Sequence, residues 1–186
     1  VIITNEEEIT KTRYIDEKSN QHILRLDDEP ILKPMEYELP EEDFDALIIS
    51  DYDKGFLTVR RICELVSEFE GPVFLDSKKT VLPSQGCFIK INETEKKLLT
   101  GDYNNLIVTK GAGGADYDGV NYPAEKTKVY DVVGAGDTFL SALVYFHLFY
   151  GRIEEAIPYA NKAASIAVQN FGTYVLTEED VQDLRG

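Results

Sequence analysis

Cysteine is nearly absent from this 186-residue chain: Cys63 and Cys87 stand alone, without metal-ligand spacing or the framework of a disulfide-stapled domain. Disulfides are therefore not expected to hold the fold, and a reducing cytoplasm is the expected compartment. Basic residues are scarce as well, 19 Lys and Arg against 34 Asp and Glu, which leaves a formal net charge of −15. A field of that sign argues against a bare nucleic-acid or anionic-membrane surface as the main partner, although local amides and lysines can still hold a phosphorylated small molecule. No apolar run approaches the roughly 20 residues of a membrane span. The opening residues VIITNEEEITK show neither the basic flank nor the apolar stretch of a secretion signal, and Val1, which is not Met, is not taken as a natural start. Internal repeats and low-complexity linkers are missing too. What remains, 43% hydrophobic and 28% charged, is ordinary globular composition with enough length to bury the core of one domain.

The texture of the chain changes near Pro40. Before it, ITKTRYI and HILRL are short alternating segments around the polar turn DEKSNQ, which predicts a two-stranded hairpin or flap, with His22 on its surface. A lone hairpin is marginal in water, so this one is expected to lean on the rest of the molecule. After Pro40 the pattern becomes strand, helix, strand. ALIIS, PVFLD, FIKI and LIVTKG read as buried strands, and VRRICELVSEF places Ile62, Leu65, Val66 and Phe69 on one helical face. That alternation predicts an α/β fold, a mostly parallel sheet with helices on both faces. ADYDGVNYP predicts a hairpin turned at Asp118-Gly119. Two helices are expected beyond it, from about Thr138 to Tyr150 and from about Glu154 to Asn170, with Pro158 near the first turn of the second. TEED from Thr177 resembles a capping box with Asp180 in the acidic position, opening a short final helix.

In open parallel sheets, ligands bind beyond the carboxyl ends of the strands. The segments there are DYDKG (51–55), DSKK (76–79), NETE (92–95) and TKGAGG (109–114), all polar or glycine-rich. Further on, VYDVVGAGDTF carries Gly134, Ala135 and Gly136 at the mouth of a helix, followed by Asp137. Such amides, with the positive end of the helix dipole, form an anion site, and a carboxylate beside them suits phosphoryl transfer to a hydroxyl. The plain alternative is a glycine turn closed by an Asp N-cap. Asn92 and Glu95 likewise fit either a capping box or a pair that positions a magnesium-bound water. TKGAGG is neither a Walker A loop nor GxGxxG, and fits a flexible turn or a backbone that admits a nucleotide. Lys54, Lys78 and Lys79 meet either a substrate phosphate or solvent.

Taken in order, DVVGAGDTF, NETE, TKGAGG and YANKAASIAVQNFGT resemble the PfkB, or ribokinase-like, carbohydrate kinase family. ISDYDKG, LDSKK, TKTRYIDEKSNQHILRLD and VYDVVGAGDTF look like its heptose 7-phosphate kinase branch, and the resemblance covers nearly the whole chain from about Lys11. It implies a ribokinase-like core over 31–186 with a β flap over 1–30, and an ATP- and Mg²⁺-dependent transfer to a sugar or sugar phosphate. By motif position, Asp137 would be the base, and the amides of Gly134, Ala135 and Gly136 the anion hole. Asn92 and Glu95 would organise the magnesium. Thr109, Lys110, Gly111 and Gly114 would line the nucleotide site, with Asn161 and Gly172 near the adenine. Asp51, Lys54 and Lys78 are candidate substrate contacts, and Asp131 and Val133 lie where some relatives hold a monovalent cation. A homodimer through the flap is a further implication.

Two departures from the family pattern matter. The N-terminal portion that carries the first strands and much of the sugar-contacting surface is missing. The connection from Glu93 to Asn105 holds only one short helix, near the minimum of about a dozen residues for a parallel crossover. The alternatives are therefore a non-catalytic nucleotide-binding relative, or a kinase of the same family acting on fructose, ribose or fructose 6-phosphate.

Overall fold

The computed structural model describes residues 1–5, 7–19 and 21–185. Strands β1 (Thr10–Ile15) and β2 (His22–Asp28) pair antiparallel as a separate ribbon, exposed along its length. One end of the ribbon is tied down electrostatically: Lys11 lies 3.0 Å from Glu29, which also pairs with Lys54 of the core.

The core is one six-stranded sheet. Its strands, β3 (Leu47–Asp51), β4 (Val73–Ser77), β5 (Phe88–Asn92), β6 (Leu106–Thr109), β7 (Ala115–Tyr117) and β8 (Val120–Tyr122), lie in sequence order. The first four run parallel and the last two turn back as an antiparallel hairpin. Its two-residue turn has φ of 48° at Asp118 and 76° at Gly119, the left-handed pair that matches the twist of the flanking strands.

Period-two alternation sorts the strand side chains between two cores. Val73, Leu75, Ile89, Ile91 and Val108 pack with Ile62 and Leu65 of helix α1 (Val59–Glu68), which Thr58 caps by accepting the Arg61 amide at 3.1 Å. Phe74 and Ile107 face the other way, against helices α3 (Ala135–Tyr150) and α4 (Ile153–Ala167), whose own contact is built from Leu143, Phe146, Ile157 and Ala160. Because the strands advance in one direction, the crossovers stay on one face, and α3 and α4 must close the other. The β4–β5 link carries no helix; Thr100 and Asn104 instead pin it by donating their amides to Thr80 and Ser84. The β5–β6 link contains only α2 (Glu93–Leu98), as its length predicted.

Three local expectations need correction. Helix α3 begins at Ala135, with Gly134 as its left-handed N-cap at φ 78°, so Asp137 lies within the first turn and is not the cap. Helix α4 ends at Ala167, short of Asn170, because the chain leaves in tight turns that bond Gln169 to Ile166 and Asn170 to Ala167. Pro158 is the sixth residue of α4, beyond the first turn, where its ring removes one intrahelical bond. The final capping box is present: the Thr177 amide donates to Asp180 at 2.7 Å and the Asp180 amide to Thr177 Oγ1 at 3.2 Å, opening α5 (Glu178–Arg185). Among the described residues no helix is long and apolar enough to cross a membrane.

Candidate active site

Register brings the polar strand ends level, with Asp51 opposite Ser77 and Asn92 opposite Thr109, so that their loops open on one rim of the sheet. Helix α3 starts beside this rim. The Ala135 amide already bonds the Val132 carbonyl at 3.3 Å and Thr138 bonds Gly134, which corrects the expected donor set. Among the described residues no acceptor meets the amides of Gly134, Gly136 and Asp137. They are the donors left for an anion.

Glycine at 136 has a steric reason. A Cβ there would stand 2.9 Å from Lys90 Nζ, so glycine leaves room for that ammonium under the start of the helix, and a larger residue would make the lysine shift. Lys90 is 5% exposed and lies 2.6 Å from Asp76 Oδ2, while Asp76 Oδ1 is buried, with Lys78 3.9 Å away and no hydrogen-bond donor among the described residues. Neither residue was singled out from sequence. The available signal was a lysine inside an otherwise apolar strand, FIKI, which only pairing or a ligand can justify. Tyr52 was also missed; its hydroxyl reaches Asp137 Oδ1 at 3.4 Å.

Asn92 and Glu95 form the capping box of α2. Asn92 Oδ1 accepts the amides of Thr94 and Glu95 at 2.9 Å, and Glu95 Oε2 accepts that of Asn92 at 2.8 Å. The other Glu95 oxygen pairs with Lys78. Asp51 is buried and fully engaged, accepting from Ser77 Oγ at 2.7 Å and from the Asp53 amide at 3.1 Å, with Lys79 3.4 Å away. Its carboxylate thus holds the frame and is not presented to a ligand. Lys79 is likewise tied, to Asp51 and Asp53, and Lys54 pairs with Glu29 where both line a cleft of about 430 Å³ with Ile31 and Gly55.

The glycine loop after β6 is closed by the Lys110 amide on the Gly114 carbonyl at 2.7 Å. Thr109 Oγ1 donates to the Ile91 carbonyl at 3.2 Å, and Lys110 Nζ is held 2.6 Å from Asp116. Gly111 has open space around it. Asn161 is buried on α4 and donates to the Tyr122 carbonyl at 2.9 Å, tying the helix to the last strand. A larger cleft of about 620 Å³, between Asn104, Asn105 and the Asp118-Gly119 turn, opens at the opposite, amino ends of the parallel strands and is separate from the anion site.

Asp131 clasps two loops, accepting the Val133 amide on Oδ1 and the Gly172 amide on Oδ2, each at 3.0 Å. Burial alone would raise its pKa, but these amides and that of Val132 outweigh burial and hold it below the ordinary 3.8. A depressed carboxyl contributes stability that is complete above its unfolded value and lost as pH falls through the folded one. The clasp should therefore persist through neutral and mildly acid pH and release only below 3.8, which loss of Gly172 amide protection in hydrogen exchange would report. With both oxygens taken by amides, the geometry does not itself require a cation at Asp131 and Val133.

Among the described residues there is no cage of three or more metal-ligating side chains. The rim instead fits a magnesium ion that arrives with phosphates and keeps most of its waters, for which one or two carboxylates suffice. Glu95 and Asp76 are the carboxylates on this rim that could face its water shell, the first paired with Lys78 and the second with Lys90 and, at 3.9 Å, with Lys78.

A rim of strand-end loops facing a helix start, on a sheet of this order, is the architecture of ribokinase-like proteins. The ribokinase of Thermotoga maritima superposes with a TM-score of 0.66 at 20% identity, covering 94% of this chain and 68% of its own. The nucleoside kinase of Methanocaldococcus jannaschii gives 0.62 at 18% identity, covering 96% and 69%. The model of the pfkB family carbohydrate kinases matches residues 85–180, more than half of the chain, and the chain belongs to that family. Curated relatives include the bifunctional protein HldE of Nitratiruptor sp., 29% identical over 98% of this chain, and that of Pectobacterium atrosepticum, 30% identical over 96%. The chain spans about 44% of the length of each.

Proposed function

We propose that this chain is the nucleotide-binding, base-bearing part of an ATP-dependent carbohydrate kinase. The γ-phosphate would pass to a sugar hydroxyl, with D-glycero-D-manno-heptose 7-phosphate as acceptor and its 1,7-bisphosphate as product. The observation that carries this reading is Asp137 in the first turn of α3, beside the unbonded amides of Gly134 and Gly136 and next to the Lys90 ammonium under Gly136. Asp137 accepts the proton of the acceptor hydroxyl as the new P–O bond forms. The amides and the dipole of α3 meet the charge on the phosphoryl oxygens, and being fixed by the fold they need no reorganisation as it develops. Magnesium, when bound, would neutralise phosphate charge, with Glu95, Asn92 and Asp76 orienting its water shell.

The nucleotide would lie along the 109–114 loop toward Asn161 and Gly172. There Thr109, Lys110 and Asn161 act mainly by shaping backbone, since their polar atoms already have protein partners. Lys54 and Lys78, now paired with Glu29 and Glu95, would turn to a sugar phosphate, and Asp51 holds the turn that leads to Lys54. The heptose assignment draws on the sequence likeness of ISDYDKG and LDSKK and on the HldE relatives.

ADP release with MgATP and a panel of heptose 7-phosphate, fructose, fructose 6-phosphate and ribose is the deciding experiment. Turnover should be fastest with the heptose phosphate. A preference for an unphosphorylated sugar would remove the heptose 7-phosphate assignment. Calorimetric ATP binding without turnover on any sugar would leave a nucleotide-binding module.

A further inference from the structure

We propose that Tyr52 is a positioning residue for the transfer step: its hydroxyl fixes one oxygen of the Asp137 carboxylate, leaving the other for the acceptor, and its ring links that carboxylate to the hairpin. The inference rests on Asp137 being the base.

Tyr52 directly follows β3 and is 85 residues from Asp137 in sequence, yet its hydroxyl lies 3.4 Å from Asp137 Oδ1. The backbone that carries it is set by Asp51, which accepts the amide of Asp53 and is itself held by Ser77, so the ring projects from an anchored turn. Two ammonium groups flank the ring, Lys11 of β1 at 5.3 Å from its centroid and Lys78 after β4 at 5.8 Å. The aromatic face attracts both cations. Lys11 is in turn paired with Glu29 at the end of the hairpin. One side chain therefore touches the hairpin, the end of β4 and the base. A 3.4 Å bond is long, as catalytic hydrogen bonds often are before substrate tightens them.

The chemistry of the phenol supports a donor. Burial, then the negative charges of Asp137 and Asp76, push its pKa above the ordinary 10, while Lys78 opposes them. The hydroxyl thus keeps its proton across the neutral range and can donate to a carboxylate.

Tyr52→Phe tests this, because it keeps the ring and both cation contacts and removes only the hydroxyl. With MgATP and heptose 7-phosphate, kcat should fall about ten-fold at unchanged KM for MgATP, the scale of one hydrogen bond to a charged group. A loss confined to kcat, with KM held, is a split that a merely structural role would not produce. A variant with the parent's kcat overturns the proposal. If Asp137→Asn itself retained turnover, the base assignment would fail instead, so the two failures are distinct. A second arm needs no turnover: the phenolate absorbance titration of Tyr52, isolated by difference against Tyr52→Phe, should shift toward lower pH in an Asp137→Asn background. An unmoved titration overturns the contact.

Discussion

Asp137→Asn should lower the rate of phosphoryl transfer by about 10³-fold, within the range for loss of a general base, while ATP binding changes by no more than about two-fold. The substitution is nearly isosteric, so the turn at Gly134 and the start of α3 stay as they are. What disappears is the carboxylate proposed to take the proton, since an amide oxygen is not a base at neutral pH. The donors proposed to meet the phosphate are backbone amides and do not depend on the side chain. A small loss of stability is expected as well, about 0.5 kcal/mol, because a negative side chain in the first turn interacts favourably with the helix dipole. Single-turnover kinetics with saturating MgATP, set beside calorimetric ATP affinity, separates the two effects. Equal losses in both would mean that Asp137 organises the nucleotide and is not the base.

Gly114→Ala should be the most damaging change in the nucleotide loop. Gly114 has φ of 86°, and a Cβ there would stand 2.0 Å from the Tyr122 carbonyl oxygen, 2.5 Å from the Ala124 amide and 2.8 Å from Pro123 C. All three obstacles are backbone, so no rotamer change relieves them. Either β7 and the segment after β8 part, or the loop loses the Lys110–Gly114 bond that closes it. We expect a stability loss of about 4 kcal/mol, at the upper end for a single substitution, with ATP affinity abolished. Gly111→Ala is the control in the same loop. Its φ is also positive, 54°, but nothing lies near the missing Cβ, so the loss should be about 1 kcal/mol. Thermal melts of both variants check the contrast; similar melting points would show that close approach is not what glycine provides at position 114.

Much of the fold was legible because its signals are local. The buried strands announced themselves as short apolar runs, and the hairpin turn as Asp118-Gly119, whose left-handed φ values few other residues tolerate. Both capping boxes, Asn92 with Glu95 and Thr177 with Asp180, were visible because partners three residues apart must meet at a helix start. Helix limits were less legible. Pro158 suggested a first turn, yet packing of Ile153, Ala156 and Ile157 against α3 extends the helix N-terminal to it, outweighing one lost hydrogen bond.

The site divides along the same line. GAGD could be read as an anion cradle, NETE as a helix cap and TKGAGG as an open turn because backbone freedom and helix polarity are properties of a few consecutive residues. Which side chains would serve it could not. Asp51 looked available but is buried beneath its own loop, and Ala135's amide is consumed by its turn. Lys90 reaches Gly136 from a neighbouring strand, Asp76 meets Lys90 across the sheet, and Tyr52 meets Asp137 from 85 residues away. Sequence by itself determined the elements and the glycine turns and helix caps, whose energetics are decided within a turn or two. The tertiary structure alone decided which charges face one another, because that depends on strand order and register, through which residues far apart in the chain are brought within a few ångströms.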